Sequence, residues 1–291
     1  MGRGKTDQPR TPVIGNPTEP SRGTSGEGIR AMLAADEMKG LFDLSGRVAI
    51  ITGGSGGLGQ AAAAGLAAYG ASVVITSRRL PALEEAASEI EALGGVVLPI
   101  SCDVTDTVSV EAMVKRTVDE LGRVDILLTA AGIAKRAPAE EMPMEDWQQV
   151  MDTNVKGTFL CCQAAGREMI KAGAGKVITV SSVRGLLGHP LGYAAYGASK
   201  GAVHLLTRQL AVEWAKYKIN VNSIAPCIFW TPLTEPVLSD EKSAKIFLDR
   251  IPWGRAAVPE DFIGSAVFLA SAASDFVTGQ ILYVDGGNIA S

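Results

Sequence analysis

Tyr196 and Lys200 lie four residues apart in Tyr196-Gly197-Ala198-Ser199-Lys200, a spacing that stacks a phenol and an ammonium on one helix face. A free phenol has a pKa of about 10 and is a poor base near neutrality. A cation beside it favours the phenolate, so the pair reads as a proton-transfer device. Such pairs also arise by chance on amphipathic helices, and the rest of the chain must supply partners. Fourteen residues upstream, Ser182 follows the run Lys176-Val177-Ile178-Thr179-Val180. A hydroxyl there would hold an oxygen that gains negative charge during a reaction. Asn154, in Asn154-Val155-Lys156-Gly157-Thr158-Phe159, falls in the long helical pattern before that run.

The elements that must position these groups follow from hydrophobic patterning. Short β-branched runs at 48–52, 72–76, 96–100, 125–129, 176–180, 219–224 and 281–285 read as strands. Most are continuously apolar, as expected where both sheet faces are covered. Helical patterns at 57–69, 80–93, 107–121, 145–172, 193–217 and 259–272 lie between them. Strand–helix alternation sustained along the chain predicts an α/β fold: a single-domain Rossmann-type, doubly wound, seven-stranded parallel sheet with helices on both faces. Residues 28–42 carry Ile29, Met32, Leu33 and Met38 at near-helical spacing and predict a short amphipathic helix. Residues 1–27 hold four Pro, five Gly and mixed charge, with too little apolar surface to offset ordering entropy. They are expected to form a disordered tail, leaving 43–291 as the catalytic domain.

The first strand runs into Thr52-Gly53-Gly54-Ser55-Gly56-Gly57-Leu58-Gly59 and an Ala-rich helix. Glycines there permit a sharp turn and close approach to a ligand, and the helix N-terminus offers N–H groups to a pyrophosphate. Gly59 allows the helix to pack tightly on the strand. The second strand ends in Thr76-Ser77-Arg78-Arg79, with no carboxylate to bind the ribose hydroxyl of NAD. Arg78 and Arg79 read either as solvated residues opening the next helix or as a fork for a 2′-phosphate, with Ser77 adding a hydroxyl. The missing carboxylate favours NADP(H), with NAD(H) as the alternative. Asp103, with Val104 after the third strand, is read as reaching the adenine or capping a helix.

Taken together, these motifs resemble the short-chain dehydrogenase/reductase family over residues 43–288. The resemblance rests on Thr52-Gly53-x-x-x-Gly57-Leu58-Gly59, Asn154, Ser182, Tyr196/Lys200, Pro226, Ile251-Pro252-Trp253-Gly254-Arg255, Pro259-Glu260-Asp261 and Val277-Thr278-Gly279-Gln280, in the family's order and spacing. It implies a nicotinamide-dependent oxidoreductase with an Asn154–Ser182–Tyr196–Lys200 tetrad. In that scheme Tyr196 is the acid/base, Ser182 holds the substrate oxygen, Lys200 binds ribose and lowers the Tyr196 pKa, and Asn154 anchors a water relay. The cofactor surface implied comprises Gly53, Ser55, Gly57, Leu58, Gly59, Ser77, Arg78, Arg79, Asp103, Val104, Ala131, Gly132, Tyr196, Lys200, Pro226, Ile228 and Thr231. The motif wording is nearest the gluconate 5-dehydrogenase-like and 3-oxoacyl reductase-like branches. Two departures stand out. The family's Asn-Asn-Ala-Gly is Thr129-Ala130-Ala131-Gly132, where Thr129 is expected to replace part of the lost bracing, and its Pro-Gly pair is Pro226-Cys227.

The substrate pocket is expected from loops at 133–138, 183–193 and 228–246, the last including a lid. Ser182, Arg184, His189, Tyr193 and Trp230 are the substrate-side candidates. Arg184 reads as pairing with a substrate carboxylate or with a protein carboxylate at a subunit contact. His189 reads as a proton-transfer group or a loop cap, His204 as a helix-surface or interface residue, and Trp230 as a pocket wall or a hinge. The reading is reversible hydride transfer between NADP(H) and a secondary alcohol or ketone of a small polar, sugar-acid-like compound. A 3-oxoacyl thioester reductase and a non-catalytic nucleotide sensor are the alternatives.

Composition narrows the rest. The 291 residues carry a net charge of −4, giving no footprint for nucleic acid. Cys102, Cys161, Cys162 and Cys227 have neither disulfide-scaffold density nor metal spacing, and with only two His no catalytic metal is expected. Lacking a membrane-length apolar run or a signal-peptide h-region, the chain is expected to be cytoplasmic and membrane-free. Excess apolar positions on the helices at 145–172 and 193–217 point to a homodimer or homotetramer.

Overall fold

The computed structural model describes residues 35–291. The predicted 1–27 tail and the first part of the predicted 28–42 helix lie outside the described residues. The described part of the latter is helix α1, Ala35–Gly40. The seven strands are β1 Val48–Thr52, β2 Ser72–Ser77, β3 Val96–Ser101, β4 Ile126–Thr129, β5 Gly175–Val180, β6 Ile219–Pro226 and β7 Ile281–Val284. They form one all-parallel sheet in the order β3-β2-β1-β4-β5-β6-β7. The order reverses between β1 and β4, which opens a crevice at the carboxyl ends of those strands.

Both faces of the sheet are covered, so the strands need apolar residues at every position rather than at alternate ones. Along β1, Ala49 and Ile51 enter one buried cluster while Val48 and Ile50 enter the other. The edges behave differently. In β3 only Ile100 is buried, and β7 is half-buried throughout, because each edge strand lacks a neighbour on one side.

The covering helices are α2 Gly57–Ala68, α3 Leu80–Ala92, α4 Thr107–Leu121, α5 Met144–Met151, α6 Gly157–Ala172, α7 Ala194–Trp214 and α10 Glu260–Ala270. Their bounds follow local chemistry. In α4, Asp106 accepts from the N–H groups of Val108 and Ser109 at 3.1 and 3.2 Å, and Gly122 closes the helix in the left-handed region.

The pattern at 145–172, expected as one helix, is interrupted. Asp152–Lys156 forms a π-helical turn between α5 and α6, and it carries Asn154. Such turns insert one residue into the helical ladder and recur at functional positions. The lid segment is helical as well, with α8 Glu235–Leu238 and α9 Glu241–Leu248 packing with Ile228 and Ile251 in a small separate cluster.

Candidate active site

Register brings Thr52, Thr76 and Thr129 level at the carboxyl ends of β1, β2 and β4, where the sheet gives way to a polar mouth. The glycine loop starts there. Gly53 has φ +71°, and a Cβ on it would come within 2.8 Å of the Ala131 nitrogen. A Cβ on Gly59 would overlap the Gly53 carbonyl. Helix α2 begins at Gly56 with no side-chain cap and no acidic residue in its first turn, leaving its N–H groups for an anion.

A cleft of about 1250 Å³ runs from this loop across β2 and β3, lined by Gly53, Ser55, Ser77, Arg78, Arg79, Asp103, Val104, Ala131 and Gly132 among others. Ser77 Oγ is buried in it without a hydrogen-bond partner. Arg78 and Arg79 are exposed and take part in no ion pair among the described residues. A buried hydroxyl without a partner beside two guanidiniums outside any ion pair fits the 2′-phosphate of a dinucleotide. Leu58 is partly buried against the core. One expectation changes here. Asp103 is not a helix cap: its Oδ1 closes a turn by accepting from Thr105 N and Oγ1 at 2.9 and 2.8 Å, and the cap is Asp106.

At the other end of the cleft, β5 delivers Ser182 and α7 delivers Tyr196 and Lys200. Ser182 Oγ accepts from Arg184 N at 3.1 Å, capping a short 3-10 turn, and donates to the Pro226 carbonyl at 3.3 Å. Lys200 is buried and donates to the Val180 carbonyl at 2.8 Å. Its Nζ stands 5.6 Å from the centre of the Tyr196 ring. Burial holds the Lys200 ammonium down at about 8. Burial likewise pushes the Tyr196 phenol up to about 12, while the Ser182 hydrogen bond and the Arg184 charge draw it down. The expectation that Lys200 brings this phenol toward neutrality is therefore not met: desolvation outweighs the charges around the hydroxyl.

The Asn154 amide is engaged by the protein itself. Its Oδ1 accepts from Ile133 N at 2.9 Å, and its Nδ2 donates to the Ile133 carbonyl at 2.9 Å and to Ser199 Oγ at 3.0 Å. Ser199 in turn donates to the Tyr196 carbonyl at 2.7 Å. The amide thus bolts the loop after β4 to the helix carrying Tyr196 and Lys200, and has no side-chain N–H left for a water. Thr129, expected to supply part of the bracing, has its hydroxyl buried without a partner, and the loop after β4 is tied to β1 by Ala131 N donating to Thr52 Oγ1 at 3.2 Å.

Beyond Ser182 and Tyr196 lies a pocket of about 220 Å³, which meets the long cleft at Ala134 and Leu233. Arg184, Tyr193 and Ile228 line it as expected. Arg184 is half-buried and donates to the Gly188 carbonyl at 2.8 Å and to Asn288 Oδ1 at 3.5 Å, with no carboxylate partner among the described residues. His189 stands outside the pocket, stacked on Phe247 at 4.4 Å and accepting from Leu191 N at 3.3 Å. Burial, then the charges of Arg184, Arg250 and Arg136, hold it at about 4, so it is neutral. Trp230 lies away from the pocket, with Thr231 beside Ser55–Gly57 of the glycine loop. His204, read as surface or interface, is buried against Gly185 and Tyr283.

The pocket residues that patterning missed are Arg250, Phe247 and Asn288, brought in by the lid helix and the chain's end. Arg136 was reached only as part of a loop range. No spacing rule links such distant positions. Among the described residues no group of three or more His, Cys, Asp or Glu is arranged to hold a metal, and no helix is long and apolar enough to cross a membrane.

Comparison with known proteins agrees with this geometry. A family model described as enoyl-(acyl carrier protein) reductase matches residues 53–288. Gluconate 5-dehydrogenase of Gluconobacter oxydans (strain 621H) is 43% identical over 247 residues, 85% of this chain and 96% of that protein. The 5-keto-D-gluconate 5-reductase of Escherichia coli (strain K12) is 39% identical over 250 residues, covering 86% and 98%. Among solved structures, a gluconate 5-dehydrogenase from Burkholderia cenocepacia J2315 in complex with NADP and tartrate aligns with a TM-score of 0.83 and 38% identity, over 86% of this chain and 98% of that one. The glycine loop, the level strand ends, the Ser182–Tyr196–Lys200 grouping and these relatives lead to one conclusion: the chain belongs to the short-chain dehydrogenase/reductase family.

Proposed function

We propose that this protein is an NADP(H)-dependent oxidoreductase that interconverts a secondary alcohol and a ketone on a small sugar-acid-like substrate. The observation that carries this reading is the placement of Ser182 and Tyr196 together in the lining of the small pocket, which meets the nucleotide cleft at Ala134 and Leu233. The relatives named for gluconate and 5-keto-D-gluconate, and that solved with NADP, support both the substrate class and the cofactor.

When bound, NADPH supplies a hydride, and NADP takes one up in the reverse direction. The residues proposed to hold it are the glycine loop and α2 N-terminus at the pyrophosphate, Ser77 with Arg78 and Arg79 at the 2′-phosphate, and Lys200 at the nicotinamide ribose. Ser182 Oγ and the Tyr196 hydroxyl then hold the substrate oxygen between them. In reduction two electrons arrive at the carbonyl carbon, and the proton moves from the Tyr196 hydroxyl to the oxygen, leaving a phenolate for solvent to reprotonate. A phenol held near 12 is fully protonated at neutral pH and ready to donate. Ser182 and Arg184 lower the cost of the negative charge that develops on either oxygen. Asn154 is a positioning residue, acting through Ile133 and Ser199.

The thioester alternative is disfavoured by the pocket, whose 220 Å³ suits a compact molecule better than an acyl chain. Exposed Phe159, Leu205 and Val212 on α6 and α7 support assembly as a homodimer or homotetramer. We further propose residues 43–291 as the catalytic unit and a cytoplasmic location, the latter supported by the free thiols of Cys102, Cys161, Cys162 and Cys227.

The test follows NADPH absorbance across a panel of keto sugar acids. Turnover is expected, and Tyr196→Phe should lower kcat by about a thousandfold while NADPH still binds. Unchanged turnover in that variant would remove the mechanism.

A further inference from the structure

Arg136, Arg184 and Arg250 reach the small pocket from three separate segments: the loop after β4, the 3-10 turn after Ser182, and the turn that follows the lid helix α9. No Asp or Glu lines it. Several other arginines find carboxylates: Arg47 and Arg123 share Asp125, Arg167 takes Glu111, and Arg255 takes Asp261. The three pocket arginines have no such partner among the described residues, and Arg184 satisfies its fork only with neutral acceptors, the Gly188 carbonyl and Asn288. Arg136 lies over the Tyr193 ring, 5.9 Å from its centre. All three charges act on the one imidazole of His189, so they share a single electrostatic neighbourhood.

Arg184 is half-buried while Arg136 and Arg250 are exposed at the pocket's rim, and burial with the Arg250 charge disfavours the charged form of Arg184. One carboxylate can be shared by two guanidiniums, as Asp125 is by Arg47 and Arg123, and still leaves the third unmet. Building on the proposed sugar-acid reading, we infer that the substrate carries two anionic groups, a carboxylate together with a second carboxylate or a phosphate, and that Arg136 and Arg250 determine this specificity. Arg184, two residues after Ser182, takes the group nearer the reacting carbon. Arg136 and Arg250, on the loop and the lid, take the other and draw the lid down as they do so.

The experiment has two arms on the full-length protein. In the first, oxidation by NADP is compared for D-gluconate, D-glucarate and 6-phospho-D-gluconate, which share a six-carbon chain and differ in the second anionic group. We expect kcat/KM for one dianion to exceed that for gluconate by about tenfold to a hundredfold; glucarate ahead identifies a diacid, phosphogluconate ahead a phosphate. In the second, tartrate and lactate are titrated calorimetrically into the NADP-saturated protein. Tartrate should bind at least tenfold more tightly, and Arg136→Gln and Arg250→Gln should each remove most of that gap. Equal affinities, or a gap that survives both substitutions, overturn the inference. Gluconate turned over as well as either dianion, with such affinities, would leave the sugar-acid reading standing and the dianion inference refuted. An Arg-dependent preference for tartrate without turnover of any sugar acid would do the reverse.

Discussion

Lys200→Met should make the protein more stable while disabling it. Lys200 is 6% exposed, and burial holds its ammonium at about 8 against an ordinary value of 10.5. At pH 7 the lysine is charged in both folded and unfolded chains, so folding carries the whole cost of burying that charge, roughly 3 kcal/mol. Methionine fills similar volume without charge but leaves the Val180 carbonyl unpaired, which returns about 1–2 kcal/mol of the gain. The net expectation is stabilisation by about 1–2 kcal/mol, a rise in Tm of roughly 2–8 °C for a unit of this size.

The pH dependence makes this test specific. Between 8 and 10.5 the folded lysine has released its proton while the unfolded one retains it, so the parent protein gains stability relative to the variant as pH rises. The stabilisation seen at pH 7 should therefore shrink by pH 9.5. Calorimetric scans of parent and variant at the two pH values, without added nucleotide, measure it. A variant that melts below its parent at pH 7, or a difference indifferent to pH, refutes the claim that Lys200 is held charged at a cost.

Gly59→Ala should abolish dinucleotide binding in a fluorescence titration and destabilise the fold by about 2 kcal/mol or more in urea, since its Cβ meets the Gly53 carbonyl. Arg78→Asp should shift the ratio of kcat/KM values for NADPH and NADH toward NADH by about a hundredfold, and a parent indifferent to the two cofactors would contradict the role given to Arg78. Asn154→Asp removes the donor to the Ile133 carbonyl and buries a carboxylate against it, so equilibrium unfolding near pH 7 should register a loss of about 2–4 kcal/mol.

Much of this was readable in the chain because the sheet is covered on both faces. Runs such as Val48–Thr52 and Thr107–Leu121 have patterning and caps that leave few alternatives. The π turn at Asp152–Lys156 was invisible, since the apolar positions on either side continue a helical rhythm through it. Side-chain roles were harder than elements. Asn154 was found by its motif, yet its amide could be used in several ways, and only the folded chain brings it to Ile133 and Ser199. The sign of the Tyr196 shift was missed for a related reason. Spacing reveals a neighbouring charge, whereas desolvation depends on everything packed around the hydroxyl. Arg250 and Asn288 join the pocket through contacts spanning most of the second half of the chain, which no local pattern encodes.

The reversal of strand order has a mechanical meaning. The three-stranded side of the sheet and the four-stranded side are joined along one short ladder, from Ala49 paired with Ile126 to Thr52 paired with Thr129. The first side furnishes the glycine loop and the arginine fork, and the second furnishes the reacting hydroxyls. A dinucleotide lying across that seam touches both halves, which also share one buried cluster, with Ala62 and Leu66 of α2 against Phe262 and Ala266 of α10. The folded state gains RT ln(1 + [L]/Kd) as the dinucleotide concentration rises. The coenzyme is in this sense a structural member on loan: the folded protein is more stable with it than without it.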